Sequence, residues 1–481
     1  MTTVIEPDIN QTAVLDFPDF EGETQPNEIE AATSPRLHTS VDFSEVDNFP
    51  HFDQIGNGDL YTLSLKNHTT AFTHGLHRFP AKFIPQIPRW AIRELGFDGA
   101  TILDPFMGSG TTLVEGLHRR STMRGTDIDP LARLISSVKA TPPASARIAQ
   151  LAGQIEALWL EPAAILVSPM PDIENFQHWF TPEAWGWLQS LLQTILALDC
   201  ARQERDFLIV IFSSILRWVS NADDQSQKTY VSGTNKKTPP PVPETFWKHL
   251  TKAYKSVRDF EVVKSPDSRV LINPEADATA LMLEPDSVDL IVTSPPYLDS
   301  VDYMYNFMLE YFWLGPLLGV PDRKTYNRMR KAGVGAKSPN GTDVRLPAVL
   351  GDMVNMETLL PGRQRATVAY FSEMGQHFLE AGRVLRDGGR YVLVIGNSQT
   401  LTGIMPVHDC LIRLASAAGL HLEKAFAYRI RRHYMKFPRN GRGGIILIDW
   451  VITLCKTTAP AAAPEKLPLP WVTLGHREVA H

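Results

Sequence analysis

Ile102-Leu103-Asp104-Pro105-Phe106-Met107-Gly108-Ser109-Gly110-Thr111-Thr112 is the stretch that decides the fold. Ile102-Leu103 is a short apolar run that predicts a buried strand, and Asp104-Pro105 ends it. Two glycines follow at a Gly-x-Gly spacing, then a helix predicted over Leu113 to Arg119. A second strand closes on Gly125-Thr126-Asp127-Ile128-Asp129-Pro130. Strand, Gly-rich turn, helix, strand and acidic residue make a β-α-β nucleotide-binding unit. A tight turn that needs small residues is the plainer explanation of the glycines, and the flanking pattern outweighs it.

The spacing also narrows the ligand. It is not the six-residue Gly pattern of dinucleotide sites, and the Lys of a triphosphate-binding loop is absent. Gly108 and Gly110 let backbone approach a ligand closely. Asp104, at a strand's carboxyl end, suits a cationic amino group, and Asp127 suits ribose hydroxyls. A ligand with an adenine, a ribose and an amino-acid cation fits that set, which is S-adenosyl-L-methionine.

A second stretch, Val288-Asp-Leu-Ile-Val-Thr-Ser-Pro-Pro-Tyr297, carries the chemistry. Its β-branched run predicts another buried strand. Pro295 and Pro296 end the ladder and, lacking N–H groups, leave the preceding carbonyls free to accept hydrogen bonds. Ser294, Pro295, Pro296 and Tyr297 thus place a hydroxyl, a carbonyl and an aromatic face at one point. That arrangement suits gripping a flat heterocycle by its exocyclic amine. Taken alone, the four residues read equally as a Pro-rich turn after a core strand.

The remaining composition sets bounds. With 481 residues, 43% apolar and 21% charged, the chain is that of an ordinary soluble protein with two or three domains' worth of core. No export signal opens the sequence, and no apolar run approaches the roughly 20 residues of a membrane span, so a cytoplasmic location is expected. Cys200, Cys410 and Cys455 show no metal or disulfide spacing, and no metal is expected. The net charge is −6, yet residues 1–60 hold 13 acidic residues and one Arg, leaving +6 for residues 61–481. The first sixty residues therefore predict an acidic, mostly disordered or loosely attached arm, with a partly ordered cover over the domain from about Phe43 onward as the plain alternative.

Between residues 141 and 265, apolar residues recur at helical spacing in Ile148–Leu160, Trp185–Leu198 and Phe207–Trp218, which predicts a helical insertion. Its tryptophans are assigned to its core. Two basic runs follow later. One holds Arg323, Lys324, Arg328, Arg330 and Lys331; the other holds Arg431, Arg432 and Lys436 with Tyr434 and Phe437 interleaved. Both suit phosphate contact, and a solvated face is the plain alternative for either.

Several motifs in one order resemble the bacterial DNA amino-methyltransferases, most closely those that methylate cytosine at N4. They are His-Arg-Phe-Pro-Ala-Lys-Phe (77–83), Asp-Pro-Phe-Met-Gly-Ser-Gly-Thr-Thr (104–112), Thr-Asp-Ile-Asp-Pro (126–130), Asp277, Ser-Pro-Pro-Tyr (294–297) and Arg383 to Asn397. The resemblance covers roughly residues 72–140 and 270–455. It implies a doubly wound α/β domain, with a mostly parallel seven-stranded sheet of the S-adenosylmethionine-dependent methyltransferase type. It implies a cofactor site of Phe79, Lys82, Phe83, Asp104, Phe106, Gly108, Ser109, Gly110, Thr111, Thr112, Asp127 and Asp277. Ser294 and the Pro295 carbonyl would hold the amine, and Tyr297 would stack on a flipped-out base.

The implied division is an arm (1–60), a cofactor-binding half (61–140), the helical insertion (141–265) and the catalytic strand with its helix (266–315). A basic, DNA-recognising loop (316–365), the second half of the domain (366–456) and a tail (457–481) complete it. Double-stranded DNA is the expected partner, and a cognate restriction or defence-system nuclease is compatible with it. Ser at 294 favours cytosine N4. Adenine N6, a base amine in structured RNA, and a non-catalytic nucleic-acid-binding protein are the alternatives.

Overall fold

This computed structural model describes residues 41–42, 49–64, 68–80, 82, 84–170, 175–224, 228–234, 236–274, 277–298, 302–334, 345–400, 403–430 and 446–457. All of them belong to one unit spanning 35–481. The strands are β1 (Val41–Asp42), β2 (Asp59–Ser64), β3 (Thr101–Asp104), β4 (Thr122–Thr126), β5 (Arg269–Asn273), β6 (Val288–Thr293), β7 (Leu385–Gly396), β8 (Ser398–Gln399), β9 (Ile404–Met405), β10 (Leu420–Arg429) and β11 (Ile448–Lys456). Nine of them form one sheet in the order β1-β2-β10-β11-β7-β6-β3-β4-β5, and β8 and β9 pair separately.

The doubly wound part of that sheet starts at β3, in its interior. It moves outward from β3 through β4 to β5, then returns to the other side of β3 with β6 and β7, all parallel. The order therefore reverses between β3 and β6, and the crevice outside their carboxyl ends is where such sheets take ligands. Only β11 runs against its neighbours β7 and β10. Its first residues consequently lie at the carboxyl ends of the strands on either side. The seven strands β3 to β7, β10 and β11 are those expected.

The other two were not expected. β2 adds to β10 in parallel register, and β1 adds to β2. This moves the boundary of the acidic arm, because residues 49–60 pack into the domain. Phe49, Phe52 and Ile55 are buried in a cluster with Trp90, Phe426 and Val451, and Phe49 meets Trp90 edge-on at 5.4 Å. Three buried apolar side chains, each worth roughly 1.5–3 kcal/mol, outweigh the acidic composition around them.

Helices cover the sheet. α1 (Gln86–Leu95), α2 (Thr111–Gly116) and α3 (Pro130–Ala140) belong to the first β-α-β units. α2 starts at Thr111 because Gly110 takes the left-handed conformation, φ +76°, and a Cβ there would meet Ser136 at 3.0 Å. α3 carries Asp129 as N-cap and Pro130 in its first turn. The insertion is helical as expected: α4 (Ser145–Leu158), α5 (Phe176–Trp179), α6 (Pro182–Ala197), α7 (Arg202–Leu216) and α8 (Val242–Val263). Trp185 is in its core and Trp179, Trp187 and Trp247 pack against it, whereas Trp218 is 48% exposed.

The aromatic run after β6 is two short helices, α9 (Tyr303–Asn306) and α10 (Met308–Leu314), whose Met304, Phe307, Tyr311 and Trp313 join the core of the insertion. The basic run at 323 forms α11 (Arg323–Met329), capped by Asp322. α12 (Pro361–Val384) and α13 (Val407–Ala417) pack on the second half of the sheet. Among the described residues, no helix is long and apolar enough to cross a membrane.

Candidate active site

The strand ends converge on one cavity of about 530 Å³. Its lining includes Phe79, Lys82, Phe106, Gly108, Ser109, Thr111, Asp127 and Asp277, together with Ser294 and Pro296. The Gly-rich turn and the Ser-Pro-Pro turn, 182 residues apart by Thr112 and Ser294 numbering, thus face one space.

Asp104 ends β3 beside this lining and is buried. One of its oxygens accepts a hydrogen bond from Thr293 Oγ at 2.6 Å, at the end of β6, and from the Phe106 amide at 3.1 Å. The other oxygen has no partner among the described residues. Burial pushes the Asp104 carboxyl up to about 6, against the hydrogen bonds that favour its ionised form. A buried carboxylate oxygen with nothing to bind is costly unless a ligand supplies a donor or a cation.

Asp127 is bound through both oxygens. One accepts the Gly108 amide at 2.9 Å, which ties the Gly-rich turn to β4, and the other accepts the Asp129 amide at 2.9 Å. Burial and the neighbouring Asp129 carboxylate raise it to about 7. Each oxygen keeps a lone pair for a hydroxyl donor. Asp129 itself caps α3 through Leu131 and Ala132 amides and accepts the Tyr311 hydroxyl at 2.5 Å. The Phe79 ring lies 3.1 Å from where a Gly108 Cβ would sit, so the turn can come this close only without a side chain. Lys82 points its ammonium away from the turn, donating to the Thr69 and His74 carbonyls, and burial lowers it to about 8.

Several expected residues are differently placed. Asp104, Gly110 and Thr112 do not border the cavity. Thr112 Oγ donates to the Val292 carbonyl at 3.1 Å, so it ties α2 to β6 behind the turn rather than meeting a ligand. Tyr297 and Pro295 also lie off the lining: the Tyr297 hydroxyl donates to Asp449 at 2.8 Å and its ring covers Gly396. Phe83, Arg431, Arg432 and Lys436 lie outside the described residues.

The first basic run is divided by the fold. Arg323, Lys324 and Arg328 are exposed on α11. Arg330 and Lys331, expected on the DNA side, line the cavity instead, with Asn327. Arg330 is committed there. Its Nε and Nη2 both donate to one oxygen of Asp302, at 2.9 and 2.5 Å, and its guanidinium stacks over Tyr305 and Tyr326. Thr293, Asn327 and Glu373 carry no signal in the sequence that sets them apart. Asp302 has a local one, an acid capping α9 through the Tyr305 amide.

No family model matches the chain. It is similar to the type II methyltransferase M.MvaI of Kocuria varians, 29% identical over 304 residues, covering 59% of this chain and 66% of that protein. It is also similar to the type II methyltransferase M.BsoBI of Geobacillus stearothermophilus, 21% identical over 415 residues and covering 75% and 81%. A shorter match, 39% identical over 79 residues, joins 15% of M.MjaII of Methanocaldococcus jannaschii to 16% of this chain. Among solved structures, a SAM-dependent methyltransferase from Methanosarcina mazei aligns with 76% of this chain and 97% of its own, at 10% identity and a TM-score of 0.29. A geranyl diphosphate methyltransferase covers 86% and 93% at 9% identity and a TM-score of 0.29. At such TM-scores these two add nothing to what the strand order itself shows. The strand order is that of a doubly wound α/β sheet, and the chain's sequence relatives are type II methyltransferases.

Proposed function

We propose that the chain is an S-adenosyl-L-methionine-dependent DNA methyltransferase acting on the N4 amine of a cytosine flipped out of the duplex. One observation carries the reading: Ser294 and the Gly-rich turn border a single cavity. Asp127, on the lining, fits the ribose hydroxyls. The buried Asp104 oxygen that lacks a hydrogen-bond partner among the described residues, next to lining residue Pro105, is assigned to the amino group of the cofactor's methionine moiety. Thr111 and Ser109, at the start of α2, offer the cofactor carboxylate a helix N-terminus in addition to these groups. Asp277 borders the same cavity and suits the adenine amine. The bound cofactor supplies a sulfonium methyl group as electrophile.

The protein's part is to prepare the amine. The N4 lone pair of cytosine is delocalised into the ring and nucleophilic only when the nitrogen becomes pyramidal. Hydrogen bonds from the amino group to acceptors such as Ser294 Oγ, which borders the cavity, favour that geometry. They strengthen as positive charge builds on nitrogen, so they act on the transition state more than on the bound base. Extrusion of the base from the duplex is required, because the cavity cannot reach a stacked one. The exposed Arg323, Lys324 and Arg328 of α11 provide phosphate contacts.

Incubation of the full chain with duplex DNA and labelled S-adenosyl-L-methionine, followed by digestion and mass analysis of the nucleosides, tests this. N4-methylcytosine is the expected product. N6-methyladenine moves the reading to the adenine alternative, and no cofactor binding by calorimetry leaves a nucleic-acid-binding protein without catalysis.

A further inference from the structure

Thr293 is a fully buried residue at the end of β6, one position before Ser294, and the chemistry proposed above makes no use of it. The ladder between β3 and β6 pairs Ile102 with Leu290 and Leu103 with Ile291. Past those pairs, side chains join the two strand ends. The Thr293 hydroxyl donates to Asp104 at 2.6 Å, and Thr112, at the start of α2, donates to the Val292 carbonyl at 3.1 Å.

Asp104 is gripped from one side. Thr293 Oγ and the Phe106 amide donate to the same oxygen, at 2.6 and 3.1 Å. Two donors on one oxygen fix the rotation of the carboxylate. The other oxygen, buried and without a partner among the described residues, is the acceptor left open. The surroundings add no opposite charge. Gly125 faces Asp104 from β4, and Tyr391 of β7, bonded to His377 of α12 at 2.7 Å, is the ionisable side chain that feels its charge. None of the described Lys, Arg or His side chains acts on it. A buried carboxylate with no cation beside it is kept ionised by its hydrogen bonds. The short hydroxyl bond from Thr293 is of the strong, charge-assisted kind.

We propose that Thr293 is a positioning residue of the cofactor site, holding the Asp104 carboxylate so that its open oxygen is available to the ammonium group of S-adenosyl-L-methionine. This rests on the methyltransferase reading and deepens it. Two neighbours on one strand end then serve different partners, Thr293 the cofactor carboxylate and Ser294 the target amine. Ser294 is held independently, since its hydroxyl donates to the Val394 carbonyl of β7 at 3.2 Å.

Calorimetric titration of the full chain with S-adenosyl-L-methionine across a pH series tests this. Folding is followed by thermal melting, and single-turnover transfer to duplex DNA is measured at saturating cofactor. Thr293→Val keeps the shape and removes the donor. Asp104 should then take up its proton about one pH unit higher, the effect of losing one hydrogen bond to a charged group. The variant should bind the cofactor roughly fivefold more weakly than wild type at about pH 6, and within about threefold of it at about pH 8. Thr293→Ser, which keeps the hydroxyl, should restore the wild-type profile. Transfer at saturating cofactor should stay within about threefold of wild type, because Ser294 keeps its own bond. An affinity loss equal at every pH marks a purely structural role and overturns the inference. A wild-type profile in Thr293→Val, or a Thr293→Ser variant that behaves like it, does the same. Should Thr293→Val fail to fold, Thr293→Ala set against Thr293→Ser makes the same comparison. A wild-type chain that binds no S-adenosyl-L-methionine sinks the methyltransferase reading and this inference together, whereas a binding wild type beside a variant with an unmoved profile sinks only the inference.

Discussion

The cavity has two walls built by different means. The wall of Pro105 to Thr111 and Asp127 to Asp129 is made of strand ends, and its hydrogen bonds join residues close in sequence or on adjacent strands: Phe106 to Asp104, Asp129 to Asp127, Gly108 to Asp127. The facing wall is two short segments, Asp302 to Met304 and the residues around Asn327 to Val334, joined by the Arg330–Asp302 pair and by the buried hydrogen bond from the Tyr326 hydroxyl to the Met304 carbonyl at 2.8 Å. Parallel strands hold the first wall in register whatever lies in the cavity. At the second, the ion pair has side chains about one-third exposed, at 30% and 33%. A preformed cofactor side and a latched opposite side follow from that difference.

The largest expected effect lies between the walls. Ser294→Ala should lower methyl transfer by roughly 10²- to 10³-fold, the usual loss when one group aimed at transition-state charge is removed. Cofactor affinity should remain within about twofold in calorimetry, and an equal loss of both would mean that the two walls do not act separately. Next comes the strand-end wall. Asp104→Asn should weaken S-adenosyl-L-methionine binding by roughly ten- to a hundredfold, or about 1.5–3 kcal/mol, the range for a charged hydrogen bond. An unchanged dissociation constant would remove Asp104 from the cofactor site.

The same carboxylate gives a pH dependence with a definite sign. Asp104 titrates near 6 in the folded, ligand-free protein, above the ordinary Asp value. A cation beside it favours the ionised form, so binding releases a proton there. Cofactor affinity should therefore hold above about pH 6 and fall as pH drops through it, with Asp104→Asn flattening that limb. Asp127, near 7, adds a dependence of the same sign where a hydroxyl donor meets its ionised form. In the ligand-free protein the raised values act oppositely. The folded state binds these protons more tightly than the unfolded one, so this contribution to stability is present at low pH and is lost as pH rises through 6 to 7.

The latch should give the smallest effect. Arg330→Met should raise the cofactor KM by roughly three- to fivefold, in line with about 1 kcal/mol for a partly exposed ion pair. The salt dependence of DNA binding should not change. Arg328→Ala, on the exposed side of the same helix, should instead lower the salt slope by about one and leave the cofactor KM alone. The opposite pattern would return Arg330 to the DNA interface.

The two walls were also unequally legible in the sequence. Asp104, Gly108, Ser109, Thr111 and Asp127 announce themselves because strand-turn-helix chemistry is local. A glycine is needed where φ is positive, and an acid is useful where a parallel strand ends. Ser294 is legible for the same reason, a strand stopped by two prolines. Thr112 and Tyr297 were assigned to the cavity by their neighbours in sequence, yet one residue of rotation at the start of α2 and one after Pro296 turn them to Val292 and Asp449. Arg330 was grouped with Arg328 by charge, and only the turn at the end of α11 separates them. Strands β1 and β2 were hidden by the acids around them, since composition counts charges and burial depends on where Phe49, Phe52 and Ile55 fall.

The sequence by itself determined the β-α-β unit and the residue types at its strand ends, because backbone conformation and strand burial depend on neighbours a few positions away. Only the tertiary structure decided that Ser294 shares a cavity with the Gly-rich turn, that Arg330 closes on Asp302, and that Asp449 lies under Tyr297. The last two pairings join residues 28 and 152 positions apart, and the first spans more still. Their geometry follows from how strands align across the sheet, and no local pattern encodes that alignment.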